Sequence, residues 1–176
     1  MLSRTPSATT LGVLALLLGN AFPATTEVVE RIVAVVDGHP LMLTEALLVE
    51  RVLGVDRKTA LDAAIDERLM YREASRLPQA ALTDEEEGNA YTSLVARAAG
   101  RAEGLPEAEL RLMARRQAVI LKYARFRFLP QIRIEGEAAR GAPPEVRERL
   151  LERELGEKIE AWVRELRGSA AVRYNP

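Results

Sequence analysis

The chain has 176 residues, 48% of them hydrophobic and 29% charged, and its 25 Lys plus Arg against 26 Asp plus Glu give a formal net charge of −1. A chain of that size can bury roughly two-thirds of its unfolded surface in one domain, so it needs neither a disulfide nor a metal to fold. With no Cys and one His there is no thiol chemistry and too few ligands for a structural zinc, and the near-neutral balance leaves no global basic field for nucleic acid.

Residues 1–21 read as a secretory signal. Met1 to Arg4 supplies a positive start, Leu11 to Leu18 a compact apolar run, and Gly19-Asn20-Ala21 the small residues a signal peptidase requires. Cleavage after Ala24 would put Phe22 where a small side chain is preferred. The other reading, an uncleaved anchor, would need about 20 apolar residues, well beyond this run. The expected mature protein is therefore exported to the periplasm, with no membrane span.

The next stretch organises the rest. Ile32, Val33, Val35 and Val36 are β-branched, and Asp37-Gly38 is a turn signal, because Gly accepts positive φ without steric cost. Pro40 cannot donate to a sheet ladder, so Leu41 to Leu43 is expected as a short edge strand. Thr44 is expected to cap a helix from Glu45 to Leu53 that stops at Gly54. An isolated hairpin is marginal in water, and the other good strand candidate is Ala170 to Tyr174, so the two ends are expected to meet.

Between them the apolar spacing predicts four more helices. Leu61, Ala64, Ile65, Leu69, Ala74 and Leu77 mark a second helix from Lys58 to Leu77 before Pro78. Thr83-Asp84-Glu85-Glu86 is a capping box for a third that stops at Gly100. Pro106 opens a fourth that reaches Leu129, and Ile132 to Ile134 is expected as an extended segment. Gly136 to Pro144 is linker-like, and a fifth helix runs from Glu145 to Arg167 before Gly168. The expected fold is mainly α, a helical bundle with a small β-sheet formed by the N-terminal hairpin and the C-terminal strand.

At about 100° per residue, the fourth helix carries two apolar stripes. Leu110, Met113, Ala114, Ile120, Leu121, Ala124 and Phe128 lie on one side; Leu112, Val119, Tyr123 and Phe126 lie opposite. Such a helix is either sandwiched in the bundle or keeps one stripe for a partner. In the second case Leu112, Val119, Tyr123 and Phe126 are the candidate surface for unfolded polypeptide.

Catalytic signals are poor. His39 sits in a Gly-His-Pro turn, and the sequence contains no phosphate loop and no nucleophile elbow. Asp84 to Glu87 complements a helix dipole before it would bind a metal. The basic residues of the fourth helix, from Arg111 to Arg133, are scattered around it, as on a solvated surface. The expectation is a non-enzyme with no cofactor, no metal and no nucleic-acid partner, either a monomer or a weak dimer through the open edge near Leu41 to Leu43.

In their order these segments resemble the SurA family of periplasmic chaperones. Arg31-Ile32-Val33-Ala34-Val35-Val36-Asp37-Gly38 leading to Leu43-Thr44-Glu45 is similar to the family's opening strand, turn and capped helix. Ala64-Ile65-Asp66-Glu67-Arg68-Leu69 resembles its next motif, and Leu82-Thr83-Asp84-Glu85-Glu86 resembles the entry to its third helix. Ile159 to Leu166 around Trp162, followed by Ala170-Ala171-Val172-Arg173-Tyr174, resembles the helix and strand that fold back onto the N-terminal module.

The resemblance implies a single chaperone domain over 22–176: an N-terminal module at 22–134, a linker at 135–144, and a returning helix and strand at 145–176. The family's parvulin prolyl isomerase domains would stand where only that linker lies, and the space is too short for one. What is implied is an ATP-independent holdase for unfolded clients, such as outer-membrane β-barrel proteins, without isomerase activity unless a separate protein supplies it. The alternative is an accessory or assembly subunit that docks one dedicated protein partner.

Overall fold

The computed structural model describes residues 30–133 and 143–175. The signal reading at 1–21 and most of the linker, together with Ile134, lie outside these residues. The described residues form five α-helices and a small three-stranded antiparallel sheet, in the order β1 (Ile32–Val36), β2 (His39–Met42), α1 (Leu43–Leu53), α2 (Arg57–Ala74), α3 (Asp84–Ala98), α4 (Glu107–Phe128), α5 (Pro144–Ser169) and β3 (Val172–Tyr174). Short 3-10 turns at Pro78–Ala80 and Leu129–Gln131 follow α2 and α4.

β1 is the middle strand, with β2 and β3 as the edges. The turn at Asp37 and Gly38 has positive φ at both residues, 47° and 82°, as a two-residue hairpin with the native twist requires. A register shift between Ile32 and Ala34 lets Val33 and Ala34 both point inward, which strict alternation would forbid. β2 begins at His39, two residues before the expected edge strand. Pro40 pairs with Val35 on this outer strand, and the Arg68 guanidinium donates to its carbonyl.

α1 starts two residues earlier than expected, and its cap differs. The Glu45 carboxylate accepts from the Met42 backbone N–H at 3.1 Å, while the Thr44 hydroxyl donates to Glu30 at 2.7 Å. Thr44 therefore lies inside the first turn and does not cap it. At the other end Gly54, at φ 68°, lies so close to the Arg101 side chain that a Cβ would meet it at 3.1 Å.

Asp56 caps α2, accepting from the Lys58 and Thr59 N–H groups at 2.9 and 3.1 Å. The helix ends at Ala74, short of the expected Leu77, because Leu77 takes an extended conformation before Pro78. The capping box of α3 forms as expected: Glu86 N–H donates to Thr83 Oγ1 at 3.2 Å and Thr83 N–H to Glu86 at 2.8 Å. Gly168 lies within α5 and does not stop it. Among the described residues Ile132 joins no strand.

Two apolar cores share α4. Leu110, Met113 and Ala114, from its first half, join Val36, Leu41, Val52, Ile65, Leu69 and Leu94 under the sheet. Val119, Ile120, Tyr123, Ala124 and Phe128, from its second half, join Ala74, Ala80, Leu155 and Trp162. Trp162, only 2% exposed, stands 5.1 Å from the Tyr123 ring and 5.9 Å edge-on from Phe128. Its indole N–H donates to Glu73 at 3.4 Å, and Glu73 also accepts from the Tyr123 hydroxyl and from Arg127, both at 2.7 Å. Burial, followed by the hydrogen bond to Glu73, raises the Tyr123 phenol above its ordinary value.

The N-terminal hairpin and the C-terminal strand meet, as expected. Asp37 N–H donates to the Ala171 carbonyl at 2.9 Å, Ala171 N–H donates to the Asp37 carboxylate at 2.7 Å, and Asn175 N–H donates to Val33 at 2.9 Å. Further along α5, Arg167 pairs with Asp66 and donates to the Asp62 carbonyl at 2.9 Å. The hydrogen bond to Asp66 raises the Arg167 guanidinium above its ordinary value.

Two outcomes are expected. Trp162→Ala should lower the free energy of unfolding in urea by about 3–5 kcal/mol, the usual cost of emptying an aromatic core site. The Ala171 N–H, and then Arg72, hold the Asp37 carboxyl below its ordinary value of 3.8. Asp37 therefore adds stability that is present above pH 3.8 and lost as pH falls through the folded pKa. Thermal melts of Asp37→Asn should lie below the parent at neutral pH and converge with it in acid.

Candidate functional site

α1 and α4 both pack on α2 rather than on each other, so a cleft runs between them with α2 as its floor. Glu45, Leu48, Val49 and Leu53 come from α1; Ala63, Ala64, Glu67, Arg68, Met70 and Tyr71 form the α2 floor. The α4 wall carries Glu109, Leu112, Met113, Arg116, Gln117, Ile120 and Leu121, and Ile159 of α5 closes the far end. The adjoining hollows hold about 100 and 230 Å³ and share Val49, Glu67 and Met113. Alanines at 63 and 64 keep the floor low where both walls rise.

Three large apolar side chains of this cleft stay open to solvent: Leu53 is 44% exposed, and Leu112 and Leu121 are 42% each. Of the four residues that periodicity offers as a client surface, Leu112 alone lands in the cleft. Phe126, 57% exposed, stands near the end of α4 outside it. Val119 and Tyr123 require a correction, since at 7% and 5% exposure they belong to the second core. The physical reason is α5: periodicity resolves two stripes, but Trp162 packs on Tyr123, and Leu155 and Trp162 share the core that buries Val119. The reverse holds for Leu121, read as part of the core stripe yet left exposed.

A charge relay crosses the cleft. Arg68 donates to both Glu45 oxygens at 2.8 and 2.7 Å, and Arg116 lies 3.6 Å from Glu45 and 3.8 Å from Glu67. Arg116 also stands 6.0 Å from the centre of the Tyr71 ring. One helix each from the two walls and the floor is therefore tied by opposite charges. The Glu67 side chain is only 14% exposed, and burial raises its carboxyl above the ordinary value against the opposing pull of Arg116. The sequence holds one signal for Glu67: it interrupts a helical stripe whose other members are Ala63, Ala64, Met70 and Tyr71.

The remaining basic residues of α4 are largely engaged. Arg115 pairs with Glu87 at 3.1 Å, Lys122 with Glu86 at 2.8 Å, and Arg111 with Glu107 at 2.7 Å. His39 is exposed at the start of β2. Among the described residues no three His, Asp or Glu side chains come together as a metal-ligand set, and no helix is long and apolar enough to cross a membrane. The site can bind apolar groups beside fixed charges; no nucleophile-base pair stands in it. Comparisons with known protein families and with curated proteins return no match to this chain.

Glu67→Gln is expected to raise the melting temperature at pH 7. The unfolded chain releases this proton near pH 4.5 and the folded chain at a higher pH, so native stability falls as pH rises through that window. The gain should shrink as pH drops and vanish below 4.5. A variant less stable than the parent at pH 7 would mean that the Arg116 contact outweighs the burial.

Proposed function

We propose that this protein is an ATP-independent periplasmic holdase that shelters apolar segments of unfolded secreted or outer-membrane polypeptides in the cleft between α1 and α4, without prolyl isomerase activity of its own. The observation that carries the reading is the open cleft, where Leu53, Leu112 and Leu121 remain more than two-fifths exposed on α1 and α4 above the α2 floor. The ordered resemblance of the chain's segments to the SurA family supports it, as does the export reading of residues 1–21.

Binding by such a cleft is modest. Ordering a flexible client costs free energy at the moment of binding, and only the surplus appears as affinity. Modest affinity suits release by mass action or handover, since no nucleotide-binding motif is present to drive a cycle. Clients are held through apolar contact and backbone hydrogen bonds and so need share no sequence.

Light scattering of an unfolded outer-membrane protein diluted from denaturant tests this. The chain from Phe22 onward should suppress aggregation, and Leu112→Ser with Leu121→Ser should weaken suppression severalfold while circular dichroism stays unchanged. Suppression that survives the double change moves client binding away from the cleft. No suppression at severalfold excess overturns the holdase and favours a subunit that docks one dedicated partner.

A further inference from the structure

The cleft does not end at Leu112. Past Glu45, Leu48 and Glu109, which line both spaces, it opens into a trough of about 640 Å³ between α1 and the start of α4. Thr44, Leu47, Leu48 and Arg51 form one face of α1 at helical spacing, and Leu105, Pro106 and Glu109 form the opposite wall. Its size is that of a space that accepts several side chains.

The charges around this trough are uneven. Arg51, its one lining cation, donates to the Arg101 carbonyl at 3.0 Å and the Glu103 carbonyl at 2.7 Å and is thereby held against the loop before α4. Glu45 is answered by Arg68 and Glu50 by Arg57. Glu30 and Glu109 have no ion-pair partner among the described residues. Among the described residues Glu30 accepts only the Thr44 hydroxyl, and Glu109 stands exposed in the first turn of α4. Carbonyl partners leave the Arg51 charge standing, so this largely apolar trough carries two unpaired carboxylates against one cation that is held to the loop, a net excess of negative charge.

We infer that the trough receives a polypeptide segment in which apolar side chains are flanked by Lys or Arg, the apolar groups resting on Leu47, Leu48, Leu105 and Pro106 and the cations meeting Glu30 and Glu109. This rests on the holdase reading and narrows it, giving the cleft a preference among unfolded segments. An acidic segment would meet like charge at both positions. Exposed ion contacts are individually small, so the preference is one of degree, about threefold to tenfold for the two together.

The test uses two fluorescent peptides with the same apolar core, one flanked by Lys and one by Glu, titrated with the chain from Phe22 onward. The Lys-flanked peptide should bind about threefold to tenfold tighter at low salt, and the difference should close as salt screens the exposed charges. Glu30→Gln with Glu109→Gln should remove the preference while leaving the Glu-flanked peptide bound as well or better. Glu160→Gln on α5 serves as the control and should change nothing. Equal binding of the two peptides, no binding of either, or a preference that persists in the Glu30/Glu109 double variant overturns the inference. Aggregation suppression without charge preference sinks this inference alone; a charge preference without suppression sinks the holdase alone.

Discussion

The burial of Trp162 is the constraint on which the rest of this structure depends. A two-stranded hairpin has too little to bury by itself, and the strand that completes it arrives more than 130 residues later on the end of α5. α5 is polar along most of its length, with only Leu155 and Trp162 fully buried. The indole thus anchors the helix by filling the space against Tyr123 and Phe128 while its N–H reaches Glu73. Arg167 and the Asp37 to Ala171 hydrogen bonds then orient what the tryptophan has placed.

The same packing creates the cleft. α1, α4 and α5 all rest on α2. Because α1 and α4 are both held by that common floor, they need not close on each other, and a space is left between them. Arg116 spans the gap electrostatically, at distances of 3.6 and 3.8 Å that leave the pairing loose. Glu67 is the unfavourable member of that relay, a carboxylate kept in a poorly solvated place. Buried charges of this kind tend to be tolerated where a site is used rather than where a core is optimised.

On the proposed holdase reading, binding would rest on shape and mild electrostatics. The cleft offers exposed leucines, which would not discriminate among clients, and the adjoining trough adds the carboxylates to which the inferred preference is assigned. Neither is strong. That combination suits a protein that must release what it holds with no energy source, since tight capture would defeat handover.

Much of the fold was legible in the residues themselves because the signals were local. The valines before Asp37-Gly38 could hardly form anything but a strand and turn, the Thr83 to Glu86 box caps its helix as written, and Pro78 and Pro106 bound α2 and α4 within a few residues. That the hairpin meets the C-terminal strand also followed, since Ala170 to Tyr174 was the other good strand candidate. Local signals failed where residues competed for one role: Glu45, three residues past Met42, took the cap while the Thr44 hydroxyl turned to Glu30, and Gly168 stayed helical within α5. The two stripes of α4 could be read from periodicity, but which stretch of each stays open depends on where α5 lies across it. Sequence therefore determined the elements and their order, which short-range sterics and hydrogen bonding decide. Only the tertiary structure decided that Val119 and Tyr123 are core while Leu53 and Leu121 face the cleft, because burial is a property of what a neighbouring helix covers.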